Sequence, residues 1–311
     1  MPQGIGASGI LGLAPETVVG TYVAPTKYVP FMSESIKAAS DNIDRRPVRQ
    51  SADIIGTVPG NQHFEGDIEM EALTDCVPYF LNASRLTLVK TGTTPLIYTG
   101  TPTAIGVPTK TVSLTIVRNG IVFGYAGCVV GGFNFSLKDD GRLMFKPSIV
   151  ALSEAPQSSP TATWPTTIPF GPGMYSLQIP TASQVLDADT LEFTVNDNAE
   201  AQYRMKSSGR GPSFIKFGER EVTLKTERDF VTRTEYDNFK NVTSQAITLN
   251  AIQDANNEID IILNAAPTNT YEVNIGGQGD LLRAQIEYLG NANAGGTSYS
   301  IVVKTLESFV P

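Results

Sequence analysis

The chain is predicted to be mainly β, built from β-sandwich or barrel-type domains that each carry a short flanking helix, two to a chain. Three observations carry that prediction. Turn formers are abundant, with 28 Gly and 20 Pro, while only 17% of residues are charged. Few stretches hold a helical period for long, and the apolar residues recur in short alternating runs rich in Val and Thr. A length of 311 residues corresponds to about two domains, each large enough for its own core.

Residues 1–30, rich in Gly, Pro and Thr, read as an extended N-terminal arm with little apolar surface to bury. Short alternating runs fill residues 28–80, and "DCVPYFLNAS" then offers a short helix with Asp75 as its N-cap. The Pro/Thr/Gly-rich span "TGTTPLIYTGTPTAIGVPTKT" reads as a long loop. "TVSLTIVRNGIVFGYAGCVV" and "GGFNFSLKDDGRLMFKPSIVAL" come next as four antiparallel strands, with Asn119-Gly120 and Asp140-Gly141 as hairpin turns.

"SEAPQSSPTATWPTTIPFGPG" carries too many prolines for a regular sheet or helix, and its Trp164 reads as a packing anchor. The division is therefore residues 31–153 for a first domain, 154–173 for a linker and 174–311 for a second domain. In the second, "SFIKFGEREVTLKTERDF" reads as a long strand and "TRTEYDNFKN" as a helix opened by a capping-box pair, Thr232 and Glu235. "NEIDIILNA", "TYEVNIGG", "DLLRAQIEYLG" and "SYSIVVKTLES" complete the strands. The halves echo one another: a glycine-led acidic strand, a short helix, then about four strands. Gly66 aligns with Gly218, Asp67 with Glu219 and Glu69 with Glu221.

A formal charge of -8 and a pI near 4.8 argue against a surface that grips phosphates. The N-terminus lacks a basic n-region and a long apolar run, so neither a signal peptide nor a membrane span is expected. Cys76 and Cys128 stand far from each other and from the single histidine, His63, which indicates buried thiols rather than a disulfide or zinc site. "GIGASG", residues 4–9, fits a dinucleotide fingerprint only formally, because no strand precedes it and Pro15 breaks the stretch where the phosphate-binding helix would have to run. No cofactor, metal or catalytic residue is expected.

The segment "GDIEMEALTD" sets Asp67, Glu69 and Glu71 on one side of a strand and Ile68 and Met70 on the other. Carboxylates at alternate strand positions stand about 7 Å apart and parallel, whereas calcium loops bend to converge their oxygens. The row reads as a solvated strand face rather than a metal site.

Three stretches, "TKYVPFMSESIKAASDNI", "HFEGDIEMEALTDCVPYFL" and "SLTIVRNGIVFGYAGCVVGGFNFSLKDDGRLMFKPSIV", carry a "PF-x-SES" opening, a "G-x-IE-x-E" strand and a "Y-x-G-x-x-V" strand in that order. In this the chain resembles the major tail tube proteins of long, non-contractile-tailed bacteriophages. The resemblance is strong over the first half and thinner over the second. It implies a non-enzymatic structural role: one sheet of each domain joins its neighbours' sheets into a barrel around a channel, and rings stack head to tail. It further implies assembly in the bacterial host cytoplasm, a place in the virion tail, tape measure and tail terminator proteins as partners, and double-stranded DNA passing without specific binding. Two tube domains per chain imply rings of three chains; one domain implies six. On this reading Asp67, Glu69, Glu71, Glu219 and Glu221 are the candidate channel-facing residues. The competing reading is a non-enzymatic receptor-binding or adhesive β-sandwich on a virion or cell surface.

Overall fold

The structure, a computed structural model, describes residues 6–48, 52–104, 106–137, 141–180, 183–185, 188–205, 209–275 and 280–309. It is built almost wholly from antiparallel strands. The first half contains β1 (Ile10–Pro15), β2 (Lys27–Tyr28), β3 (Ser33–Glu34), β4 (Lys37–Ser40), β5 (Ile43–Arg45), β6 (Gly56–Val58) and β7 (Gln62–Glu71). Helix α1 (Val77–Asn82) comes next, then β8 (Leu86–Thr91), β9 (Leu96–Pro102), β10 (Val112–Arg118), β11 (Ile121–Leu137), β12 (Leu143–Ala151) and β13 (Ser153–Pro156). The second half contains β14 (Tyr175–Gln178), β15 (Gln184–Val185), β16 (Ala188–Asn196), β17 (Glu200–Gln202), β18 (Phe214–Lys216) and β19 (Glu221–Asp229). Helix α2 (Thr234–Lys240), β20 (Ser244–Asp254), β21 (Asn257–Val273), β22 (Arg283–Leu289) and β23 (Tyr299–Thr305) complete it.

Two strands of 17 residues, β11 and β21, organise the molecule, because each belongs to two sheets. The N-terminal part of β11 lies in an outer sheet ordered β2-β1-β10-β11-β13. The N-terminal part of β21 lies in a second outer sheet ordered β15-β14-β20-β21-β23-β9-β8. Their C-terminal parts meet in one central sheet of eight strands, β4-β7-β12-β11-β16-β19-β22-β21. That sheet reads as two quartets, β4-β7-β12-β11 and β16-β19-β22-β21, and the β11–β16 pairing joins them. One apolar cluster drawn from both halves fills the space beneath.

The double membership of β11 has a local cause. At Gly127, φ is +66°, and a Cβ there would fall 2.6 Å from the Leu152 side chain. A further irregularity between Val130 and Gly132 bends the strand as it passes from one sheet to the other. The residues on either side of the Gly131-Gly132 pair are therefore one strand, although they read as two in sequence. β21 likewise absorbs two predicted strands, with its irregularity between Thr268 and Thr270.

Other expectations met mixed outcomes. The Asn119-Gly120 turn is present, with φ of 50° and 80° between the paired Arg118 and Ile121. Asp140 lies outside the described residues, as do residues 4 and 5 of "GIGASG". The N-terminal arm contributes a core strand: β1 pairs along its whole length with β10 and buries Leu11, Leu13 and Ala14. The expected loop after residue 91 holds β9, whose Tyr98 is fully buried and hydrogen-bonded to the carbonyl of Phe309 at 3.1 Å. Its threonines and prolines hid an ordinary alternation.

Helix α1 forms where expected, but Asp75 does not cap it. Cys76 holds the N-cap position without a side-chain bond, and the Asp75 carboxylate takes a hydrogen bond from Lys27 Nζ at 2.9 Å. Thr232 donates to the Glu235 side chain at 3.3 Å, but Arg233 is the N-cap residue of α2, so no capping box forms. Cys76 and Cys128 are buried free thiols, and burial pushes both well above the ordinary thiol range. Trp164 packs edge-on against Tyr28, with ring centroids 6.4 Å apart.

Candidate functional site

Strand β7 carries the acidic row, and its glycine explains how the row is presented. A Cβ at Gly66 would lie 2.6 Å from backbone atoms of Ser35 and Ile36, so only glycine lets the β3–β4 edge cross there. Past that crossing the alternation is strict. Ile68 and Met70 are fully buried in the core, and Asp67, Glu69 and Glu71 stand on the opposite, open face.

Each carboxylate of the row has a partner. Ser148 Oγ donates to Asp67 Oδ1 at 2.6 Å, and Lys146 Nζ lies 2.9 Å from Asp67 Oδ2. Partial burial pushes the Asp67 carboxyl up, but the Ser148 hydrogen bond and the Lys146 charge outweigh it and hold the group below its ordinary value. Ser33 Oγ donates to Glu69 Oε2 at 3.2 Å, and Arg142 Nη1 lies 3.3 Å from Glu71 Oε1.

The register extends this face across the whole central sheet. One row runs Glu71, Met144, Ser136, Glu192, Lys225, Glu287, Thr270, crossing from β7 to β21. A second runs Asp67, Ser148, Gly132, Asn196, Glu221. Apart from Asp67, Glu71 and Glu221, which stand on the same face at its margin, these residues line a broad open trough of about 1260 Å³. Among the described residues five carboxylates line it, Glu69, Glu192, Glu227, Glu272 and Glu287, against two lysines, Lys146 and Lys225. Lys146 is held by Asp67, and Lys225 sits in register between Glu192 and Glu287.

The predicted residues of the second half fall differently. Glu221 opens β19 on the same face as Asp67, whereas Glu219 lies exposed ahead of the strand, its carbonyl accepting from Asn198 Nδ2 at 2.8 Å. Gly218 also precedes β19, while Gly66 lies in the middle of β7, so the sequence echo between the two glycines is out of step with the strands. The open face of β19 is Glu221, Thr223, Lys225 and Glu227. Sequence reading missed Lys146, Ser148, Glu192 and Lys225; the signal was the alternation of Met144, Lys146 and Ser148 in "LMFKPSIV".

Beneath the trough, the joint between the quartets is pinned by a buried ion cluster. Arg220 Nε lies 2.7 Å and Arg85 Nη1 3.6 Å from Asp197 Oδ1, with the Asp197 side chain 1% exposed. Burial pushes the Asp197 carboxyl up against the pull of both arginines.

The chemistry available to this face is that of a wall. Its carboxylates stand parallel on straight strands, and among the described residues no group of three His, Cys, Asp or Glu gathers to hold a metal ion. Among the same residues, no helix is long and apolar enough to cross a membrane. Comparison with curated proteins returns no match. A family model described as phage tail tube protein matches residues 6–294, which takes in both quartets and the joint between them. The chain belongs to the phage tail tube protein family and is a structural subunit of a phage tail.

Proposed function

We propose that three copies of this chain close into a ring whose lumen is lined by the polar trough, and that the rings stack head to tail into the tube of a long, non-contractile tail. The observation that carries this reading is the repetition of one four-stranded order, twice, within a single sheet. With β3, β8 and β9 set aside, the first half runs β1, β2, β4, β5, β6, β7, α1, β10, β11, β12, β13, and the second keeps the same order from β14 to β23. An internal duplication accounts for this order, with residues 31–153 and 174–311 as the two tube domains and residues 154–173 as their linker.

Three chains of eight central strands give about 24 strands, wider than the 16 to 18 strands that already leave an aqueous channel in porins. Closure removes the two sheet edges that the isolated chain exposes. Stacking is heterologous and does not close, so it grows a filament.

Genomic DNA then passes through the tube at ejection. The trough suits that passage, since its carboxylates outnumber its lysines and both lysines sit beside carboxylates. At physiological salt this repulsion reaches about 8 Å, enough to keep a duplex off the wall. Tape measure and tail terminator proteins are its partners in the tail, assembled in the host cytoplasm, and the subunit performs no reaction. Electron-microscope class averages of the purified protein test this: three-fold top views with a central hole are expected, and six-fold rings or a compact monomer at high concentration would overturn it. Changing Asp67, Glu69 and Glu71 to lysine is expected to leave tubes intact but slow DNA ejection, and unchanged ejection would remove the repulsive role.

A further inference from the structure

The two edges of the central sheet differ from the joint at its middle in one respect: each lacks the partner that the joint supplies. At the joint, β11 lies against β16, with Gly132 opposite Asn196, Asn134 opposite Thr194 and Ser136 opposite Glu192. At the edges, among the described residues, β4 pairs only with β7, and the C-terminal part of β21 pairs only with β22. By strand order β21 is the counterpart of β11, and β4 that of β16. The joint is thus a template for contact between one copy and the next.

Two independent markers set the alignment. Matching the bulges, which lie between Val130 and Gly132 in β11 and between Thr268 and Thr270 in β21, makes Thr270 the counterpart of Gly132 and Glu272 that of Asn134. Tracing the pairings through β22 and β19 then makes Lys225 the counterpart of Asp67, and this brings the last residues of β7 and β19, Glu71 and Asp229, together as well. On the other edge, Lys37 pairs with Glu65 as Thr194 pairs with Thr223, so Lys37 is the counterpart of Thr194.

Resting on the tube reading above, we infer that β21 of one copy pairs with β4 of the next in the register of the internal joint, which sets Glu272 opposite Lys37, Thr270 opposite Ala39 and Tyr271 opposite Ala38. Charge and size both fit. Glu272 and Lys37 are exposed, of opposite sign and without an ion pair among the described residues. On the core side, bulky Tyr271 meets the small, exposed Ala38. An apolar flank beside this edge, with Phe230 40%, Val231 77% and Tyr236 39% exposed, is what the second copy covers.

The test is a cysteine pair, Lys37→Cys with Glu272→Cys, oxidised after assembly and run on a non-reducing gel; the native cysteines are buried and do not compete. A covalent ladder that ends at three chains is expected. In parallel, Lys37→Glu or Glu272→Lys alone should weaken assembly about fivefold at each joint, and the double exchange should restore it. Rings that form without this cross-link, or a double exchange that restores nothing, would overturn the register while leaving the tube reading standing. The absence of any ring in the unmodified protein would overturn both.

Discussion

Helices α1 and α2 come after corresponding strands, β7 and β19, yet all six residues of α1 are buried and none of the seven in α2 is. The segments leading into them differ in the same way. Ala72 and Leu73 are 0% and 3% exposed, whereas Phe230 and Val231 are 40% and 77% exposed. α1 is covered by its own half, with Phe80 against Phe145 at 6.0 Å between centroids, and by the other half as well: Phe309 stacks on Tyr79 with centroids 4.6 Å apart, and Thr74, just ahead of the helix, bonds to Asn257 at 2.7 Å. Helix α2 touches mainly its own half, through Tyr236 and Phe239 against Tyr271. The same architecture is thus covered in one half and open in the other.

Truncating one aromatic side chain in each helix separates the two most strongly. Phe80→Ala, at a fully buried site, should lower stability by about 4 kcal/mol in denaturant unfolding. Tyr236→Ala should change the isolated chain by under about 1 kcal/mol while reducing tube yield. Equal losses in the isolated chain would mean that the two helices are equally covered.

Next comes the internal joint. Asp197→Ala leaves Arg85 and Arg220 without their shared carboxylate, and a loss of about 3 kcal/mol is expected. Unfolding should remain a single transition, because the two quartets share one core; two separate transitions would show that they fold alone. Gly66→Ala should cost about 2 kcal/mol, since its Cβ meets the crossing backbone of Ser35 and Ile36. The counterpart position in β19 holds Leu224, buried and without such a crossing, so this device belongs to the first half only.

The smallest effect is one of pH. Asp260 on β21 is pushed up to about 6 by burial, with Glu258 adding to the rise and the Asn250 hydrogen bond and Lys304 opposing it. Between about pH 4, the ordinary carboxylate range, and pH 6, the folded chain binds more protons than the unfolded one, so stability falls as pH rises through this window. Asp260→Asn should therefore be more stable than the parent at pH 7 to 8, with the difference fading below about pH 4 in thermal melts. β11, the counterpart strand, has no carboxylate and should show no such dependence.

What was legible in sequence was local. Alternation placed Ile68 and Met70 inward, and Asn119-Gly120 announced its hairpin, because both signals lie within a few residues. β1 and β9 were hidden among prolines, threonines and glycines; β1 owes its strand character to pairing with β10, far along the chain, and β9 lies between nearby β8 and distant β23. The joint was hidden for the same reason, since nothing in "GGFNFSL" marks β16 as its neighbour. The Gly66–Gly218 echo pointed to a real repetition of order but at the wrong offset, because the glycine in β7 answers to a crossing strand that β19 lacks. Half of the trough was invisible because Lys225, Glu192 and Ser148 acquire meaning only in register with one another.

The segment between β13 and β14, residues 157–171, has no regular secondary structure, yet it ties the two quartets into one chain. A tether of this kind holds its two ends at an effective concentration in the millimolar range. In a ring of three such chains, half of the strand-to-strand seams are already made when each polypeptide finishes folding, at any dilution. Only the other half would have to be found by diffusion, so closing the proposed ring would be a meeting of three bodies rather than six, and a tube could start from far fewer free subunits.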